Sequence, residues 1–195
     1  MINVTDITDK LARHPTKKFK LRTGPPERIV LHTTETVTSI EKLALYDVSP
    51  GNHIDPKGCP GISYSGIVMG NAECFKTLDY NEISWHVGLW NPGSIGIAIM
   101  YRSQNKAGED VYAPTRQQLQ SAVMYAAKLC LELKVHPDQV FGHRELKGTG
   151  WNMFKGSKVL RKRCPGLRLD LDSFRTSVCK EVQDYLKTRI GFLGA

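Results

Sequence analysis

The chain has 195 residues, 41% apolar and 24% charged, a balance that suits one globular domain with a real core and excludes disordered, fibrous and low-complexity classes. A formal net charge of +8, with a pI near 9.3, draws such a protein towards anionic polymers, nucleic acid and cell envelope alike. No apolar run reaches the roughly 18 to 20 residues of a membrane span. Residues 1–22 lack the apolar stretch of a secretory signal, and the five cysteines are odd in number, widely spaced and without a CxxC pair, which excludes a disulfide framework. Synthesis and folding in a bacterial cytoplasm, with reduced thiols, is the expectation.

Taken in chain order, Ile29-Val30-Leu31 after Gly24-Pro25-Pro26 predicts a buried strand over Arg28 to Thr33, with His32 at its C-terminal end. A short helix follows over Thr38 to Tyr46, with Ile40, Leu43 and Ala44 on one side and Thr38 and Glu41 at capping-box spacing. Residues 49–61 are rich in Pro, Gly, Asn and Asp and read as a loop. Ile62 to Met69 and Ala72 to Leu78 read as a hairpin turned at Gly70-Asn71. Ser94 to Tyr101 is a further strand, after the Asn91-Pro92-Gly93 turn. The best helix is Thr115 to Lys134, capped by Thr115 with Gln118 and apolar at Leu119, Val123, Ala126, Cys130 and Leu133. Val140-Phe141 leads into Gly142-His143 as a short strand. A last helix runs from Ser173 to Ile190, with Phe174, Val178, Val182, Leu186 and Ile190 as its apolar face. No repeat or linker divides the chain, so residues 1–195 read as one α/β domain, a central mixed sheet flanked by helices.

The chemistry is sought among the histidines. His32 and His143 end strands, and strand ends converge on clefts in α/β sheets. His86 lies in Trp85-His86-Val87-Gly88. His14, His53 and His136 sit in polar or Pro-flanked stretches, where surface histidine is the default. A lone histidine at a strand end is more often packing, and a lone cysteine before Pro-Gly is more often structural. Catalytic zinc takes three protein ligands from N and S donors and leaves a fourth position for water. His32, His143 and Cys164 meet that requirement, but their spacings of 111 and 21 residues match no local zinc motif.

Five segments in order change the weight of that set. Arg28-Ile29-Val30-Leu31-His32-Thr33-Thr34-Glu35-Thr36 resembles the strand that carries the first zinc histidine in the N-acetylmuramoyl-L-alanine amidase family, which includes phage lysozyme-type endolysins and peptidoglycan recognition proteins. Ile62-Ser63-Tyr64-Ser65-Gly66-Ile67-Val68 resembles the strand whose tyrosine faces the metal. Trp85-His86-Val87-Gly88 with Asn91, Ser94, Ile95, Gly96 and Ile97 resembles the family's His-x-Gly and Asn-x-x-Ser-Ile-Gly-Ile stretch. Phe141-Gly142-His143-Arg144-Glu145-Leu146 resembles the second ligand segment. Arg161-Lys162-Arg163-Cys164-Pro165-Gly166 resembles the third, where the ligand is Cys in the phage and recognition branches and Asp in others. The resemblance covers about residues 28–170.

It implies one Zn2+ ion on His32, His143 and Cys164, and hydrolysis of the amide between N-acetylmuramic acid and L-alanine in peptidoglycan. It makes Tyr64 the candidate for bonding the attacking water or the oxyanion. Lys162, two residues before Cys164 and so on the same face of an extended segment, is the candidate cation for that oxyanion. His86 is the candidate substrate contact or proton shuttle. Without the resemblance, Tyr64 reads as strand packing, Lys162 as one charge in a solvated basic run, and His86 as a turn residue under Trp85. Glu35 reads as a base or a solvated acid. Two departures stand out: the 148–160 loop, with Trp151, Phe154, Lys155 and Lys158, is longer than in compact members, and Ser65 stands where a His is common.

The phage endolysin reading, with peptidoglycan as partner and a monomer as the expected state, competes with two others. A recognition module that binds peptidoglycan without cutting it typically lacks the Cys ligand, and Cys164 argues against it. A nucleic-acid role for the +8 charge lacks any helix-turn-helix or RNP-like motif, so no stable nucleic-acid complex is expected. Contact of the basic C-terminal helix with an anionic envelope is the weaker reading of an apolar face that suits core packing.

Overall fold

The structure, a computed structural model, describes residues 2–146 and 163–193. The polar N-terminal stretch supplies an element that periodicity does not announce, the short strand β1 (Val4–Asp6). Then follow β2 (Arg28–Thr33), α1 (Ile40–Val48), β3 (Gly66–Val68), β4 (Cys74–Lys76), β5 (Ser94–Ile99), α2 (Arg116–Leu133), β6 (Val140–Gly142) and α3 (Leu171–Leu193). The six strands form one sheet in the order β1-β4-β3-β5-β2-β6. Among the described strands of this sheet, β3 and β4 pair antiparallel and the other neighbours run parallel. The mixed α/β sheet expected from the sequence is the fold.

Central parallel strands are covered on both faces and so need near-continuous apolar runs. On one face Ile29, Leu31, Ile95, Ile97 and Ile99 pack against Ala122, Tyr125, Ala126 and Leu129 of α2. On the other, Ile67, Ala98 and Met100 pack against Ile40, Leu43 and Ala44 of α1. The second face also carries His32, whose strand partner is Ala98. Histidine thus stands in a core position at the end of a strand, buried with 2% exposure.

Several boundaries differ from expectation, each for a hydrogen-bonding reason. The cap of α1 is Ser39, which accepts from the Lys42 N–H, rather than Thr38 with Glu41. The strand expected from Ile62 shortens to β3 because the Ser63 N–H goes to Asp47 Oδ2 instead of a neighbouring strand. The hairpin loop is three residues, with Met69 N–H on Glu73 O, Ala72 N–H on Met69 O and Ala72 at φ 69; a turn followed by a left-handed residue is the usual three-residue solution. In α3, Phe174 and Val178 are buried and Val182 partly so, but Leu186 is 46% exposed. The apolar stripe therefore packs only along the first half of the helix. The Ile190 side chain lies outside what the structure describes.

The capping box of α2 forms as predicted: Thr115 Oγ1 accepts from Gln118 N–H and Gln118 Oε1 from Thr115 N–H, both at 3.1 Å. Gln118 also donates to Met100 O at 2.9 Å, tying the helix start to the end of β5. Thr115→Ala should cost about 1 kcal/mol of stability, read from the urea midpoint. A change within error would mean that Gln118 holds the helix start alone.

Candidate metal centre

The register of the parallel strands closes the 111-residue gap. Leu31 pairs with Gly142, so His32 and His143 stand side by side one step further on. Their rings lie 4.6 Å apart, with Nδ1 to Nδ1 at 3.2 Å. Cys164 Sγ lies 3.5 Å from His32 Nδ1, and the donor atoms of all three residues fall within 4.8 Å of one another. Tetrahedral zinc with Zn–N near 2.05 Å and Zn–S near 2.3 Å requires donors about 3.3 Å apart for N–N and about 3.6 Å for N–S. The two separations from His32, 3.2 Å to His143 and 3.5 Å to Cys164, match these edges, and with all three donors within 4.8 Å of one another the set suits zinc in its chemistry.

Cys164 is held from several sides. The Thr33 N–H points at its sulfur at 3.4 Å, which favours a thiolate. The Arg144 N–H donates to its carbonyl at 2.8 Å, and the Arg144 guanidinium donates to Gly166 O and, at 2.6 Å, to Leu169 O. Tyr101 hydroxyl donates to Pro165 O while Thr33 Oγ1 donates to Tyr101 O. On the preceding residue, Arg163 pairs with Asp110 at 3.1 Å. Arg163 is thus not the merely solvated charge that a basic run suggests. Its acidic partner lies 53 residues away, which no local pattern reveals.

Tyr64 is half-buried, its ring 5.1 Å from that of His32 and tilted by 50°. Burial first, then the nearby charges of Cys164, Asp47 and Glu35, push its pKa well above the tyrosine value. The phenol is therefore a proton-bearing donor at neutral pH. His86 is buried, with Nδ1 2.9 Å from His32 Nε2. Glu35 adopts φ 53, and its carboxylate accepts from the Ser103 N–H at 3.0 Å and from the Ser103 hydroxyl. It braces two strand ends. Lys162 and the 148–160 loop lie outside the described residues.

These groups form the floor of a cleft of about 720 Å3, whose walls include Thr34, His53, Ile54, Ser63, Trp85 and Asn91. His53, assigned to the surface by its polar context, is exposed but lines this cleft and stacks on Tyr46 at 6.1 Å. His14 instead accepts the N–H groups of Thr16 and Lys17, and His136 is 72% exposed. Arg22, which sequence reasoning passed over, donates to the carbonyls of Tyr80, Asn91, Pro92 and Ser94. It thereby holds the loop bearing His86. Burial lowers its pKa to about 10, so it stays charged.

Residues 22–167 match the family described as N-acetylmuramoyl-L-alanine amidase. Peptidoglycan-recognition protein SC1a of Drosophila melanogaster is 26% identical over 110 residues, 53% of this chain and 57% of that protein. The match thus spans little more than half of that relative. Among solved structures, the Ph2119 endolysin of the Thermus scotoductus MAT2119 bacteriophage superposes with TM-score 0.60 at 20% identity, covering 90% of this chain and 99% of the other. The N-acetylmuramoyl-L-alanine amidase LysC from Clostridium intestinale URNW gives TM-score 0.64 at 17% identity, over 91% and 98%. Drosophila PGRP-LB gives 0.61 at 20%, over 87% and 91%. At these identities the structures share the fold, and the family match extends over well more than half the sequence. The chain belongs to the N-acetylmuramoyl-L-alanine amidase family.

Proposed function

We propose that this protein is a zinc-dependent amidase that hydrolyses the bond between the lactyl group of N-acetylmuramic acid and L-alanine. In this reading it acts as a phage or prophage endolysin, made in the host cytoplasm and meeting the wall on release. The observation that carries the proposal is the His32, His143 and Cys164 donor set, gathered within 4.8 Å on the floor of the cleft. Bound there, zinc supplies Lewis acidity and lowers the pKa of water from about 15.7 towards 7.

The residues of the chain supply the rest. Two neutral imidazoles and one thiolate leave a formal charge of +1 on the loaded site, which preserves much of that acidity. The Thr33 N–H stabilises the sulfur charge. Tyr64 presents its O–H beside the ligands, where a carbonyl oxygen gains charge on attack, and a fixed donor at that point lowers the barrier. Lys162 is proposed as the cation that shares this task. The cleft walls hold the stem peptide and sugar in register.

Digestion of purified muropeptides tests the reading. Free L-alanyl amino termini should appear with zinc and vanish with a chelator. New reducing sugars would make the enzyme a glycosidase, and wall binding without turnover would make it a recognition module. Tyr64→Phe should lower kcat by about 100- to 1000-fold, the range that loss of one oxyanion donor costs, with little change in KM. An unchanged kcat would remove Tyr64 from the reaction.

A further inference from the structure

The mechanism leaves His86 without a task, and its position assigns one. His32 turns Nδ1 towards His143 Nδ1 and Cys164 Sγ. An imidazole that ligates through the Nδ1 lone pair carries its proton on Nε2, and a buried N–H needs an acceptor. The atom 2.9 Å from His32 Nε2 is His86 Nδ1. The two rings meet edge to face, with centroids 5.0 Å apart and planes at 72°, which leaves the 2.9 Å nitrogen pair as their polar contact.

The surroundings keep His86 there. Asn91 Oδ1 accepts the N–H of His86 at 3.0 Å and that of Val87 at 2.7 Å, fixing the backbone of the turn. The ring lies on Gly96 in β5, where a Cβ would come within 2.8 Å of His86 Nδ1. Gly96 pairs with Val30, and Ala98 with His32. Small residues on that face therefore give the two rings the space they occupy.

We propose that His86 is a positioning residue for the metal ligand His32: it accepts the His32 Nε2–H through Nδ1 and so fixes the tautomer and ring orientation that turn His32 Nδ1 to the ion. A neutral acceptor has a consequence of its own. A carboxylate in the same place would add a negative charge beside the centre, whereas an imidazole keeps the loaded site at its formal +1 and so more strongly Lewis-acidic. This inference rests on the zinc reading above.

The test uses the whole chain, stripped with a chelator and titrated with Zn2+ against a competing indicator; a Co2+-substituted sample is read by its visible spectrum. His86→Asn places an amide oxygen near the position of Nδ1, while His86→Gln places one near Nε2, away from His32. The Gln variant should bind zinc 10- to 100-fold more weakly, the usual cost of losing such a partner, and its Co2+ bands should shift. The Asn variant, which keeps an acceptor for the His32 N–H, should stay within about threefold of wild type, well below that cost, and keep the wild-type spectrum. Wild-type affinity and spectrum in both variants, with only the muropeptide KM raised, would make His86 a substrate contact and overturn the proposal. Failure of the unaltered protein to take up zinc would instead overturn the metal reading beneath it.

Discussion

Cys164→Ala is expected to strip the protein of tightly bound zinc and to lower muropeptide hydrolysis by at least about 10³-fold, near 4 kcal/mol at about 1.4 kcal/mol per factor of ten. The thiolate is the only anionic donor of the three, so its removal takes away both a bond and the charge that offsets half of the ion's. The fold should survive. Cys164 is only partly buried, and its segment is held through backbone carbonyls by Arg144 and Tyr101 rather than through sulfur. Stability must be compared in chelator, because bound metal stabilises the native state by mass action. There the melting temperatures of variant and wild type should nearly coincide. Cys164→Asp should recover part of both metal and activity, since a carboxylate restores charge and donor. Full turnover by the alanine variant would remove the thiolate, and with it the zinc mechanism, from this cleft.

The sequence revealed this centre unevenly, for physical reasons. Strand β2 and helix α2 were legible to within a residue or two because burial on both faces, or on one stripe, imprints a pattern on neighbouring residues. The convergence of His32 and His143 was not legible from spacing, because strand register, Leu31 beside Gly142, does that work across 111 residues. It became readable only through ordered resemblance at five places. The supports of the site stayed hidden. Asp110 under Arg163, Arg22 across the carbonyls of the 80–94 loop, and the Thr33 N–H on sulfur are partners that only folding brings together. His53 is exposed, as its polar context suggests, yet it lines the cleft, because a polar loop context says nothing about which wall the loop builds. At Gly96 the missing side chain is what admits the His86 ring, a contact between segments that the strand pattern does not show.

The core prediction with the largest expected effect concerns Tyr125 of α2. Its side chain is fully buried and presses on β3, where a Cβ at Gly66 would come within 2.7 Å of the ring. Its hydroxyl meets that of Tyr80 at 3.0 Å and Phe75 O at 3.3 Å. Tyr125→Ala should cost about 3 to 5 kcal/mol, the range for aromatic truncation in a core, against a total stability of about 5 to 15 kcal/mol. Tyr125→Phe keeps the ring and loses only the hydroxyl contacts, at about 1 kcal/mol. Urea unfolding of the two variants separates packing from hydrogen bonding. Equal losses would mean that the hydroxyl pair, not the ring, holds α2 to the sheet. The pH dependence has a definite sign as well. Burial drives Tyr125 well above the tyrosine value and Tyr80 to about 12, so both stay neutral in the folded chain. Their contribution is complete below the unfolded value near pH 10 and declines as pH rises from there through the folded values. In Tyr125→Phe that alkaline decline should be shallower, because one raised phenol is gone. Gly66→Ala attacks the same contact from the other side and, two residues from Tyr64, should disturb the cleft as well as the core. A lowered kcat in the fully folded variant would show that the Tyr125–Gly66 contact positions the segment that leads from Tyr64 into β3.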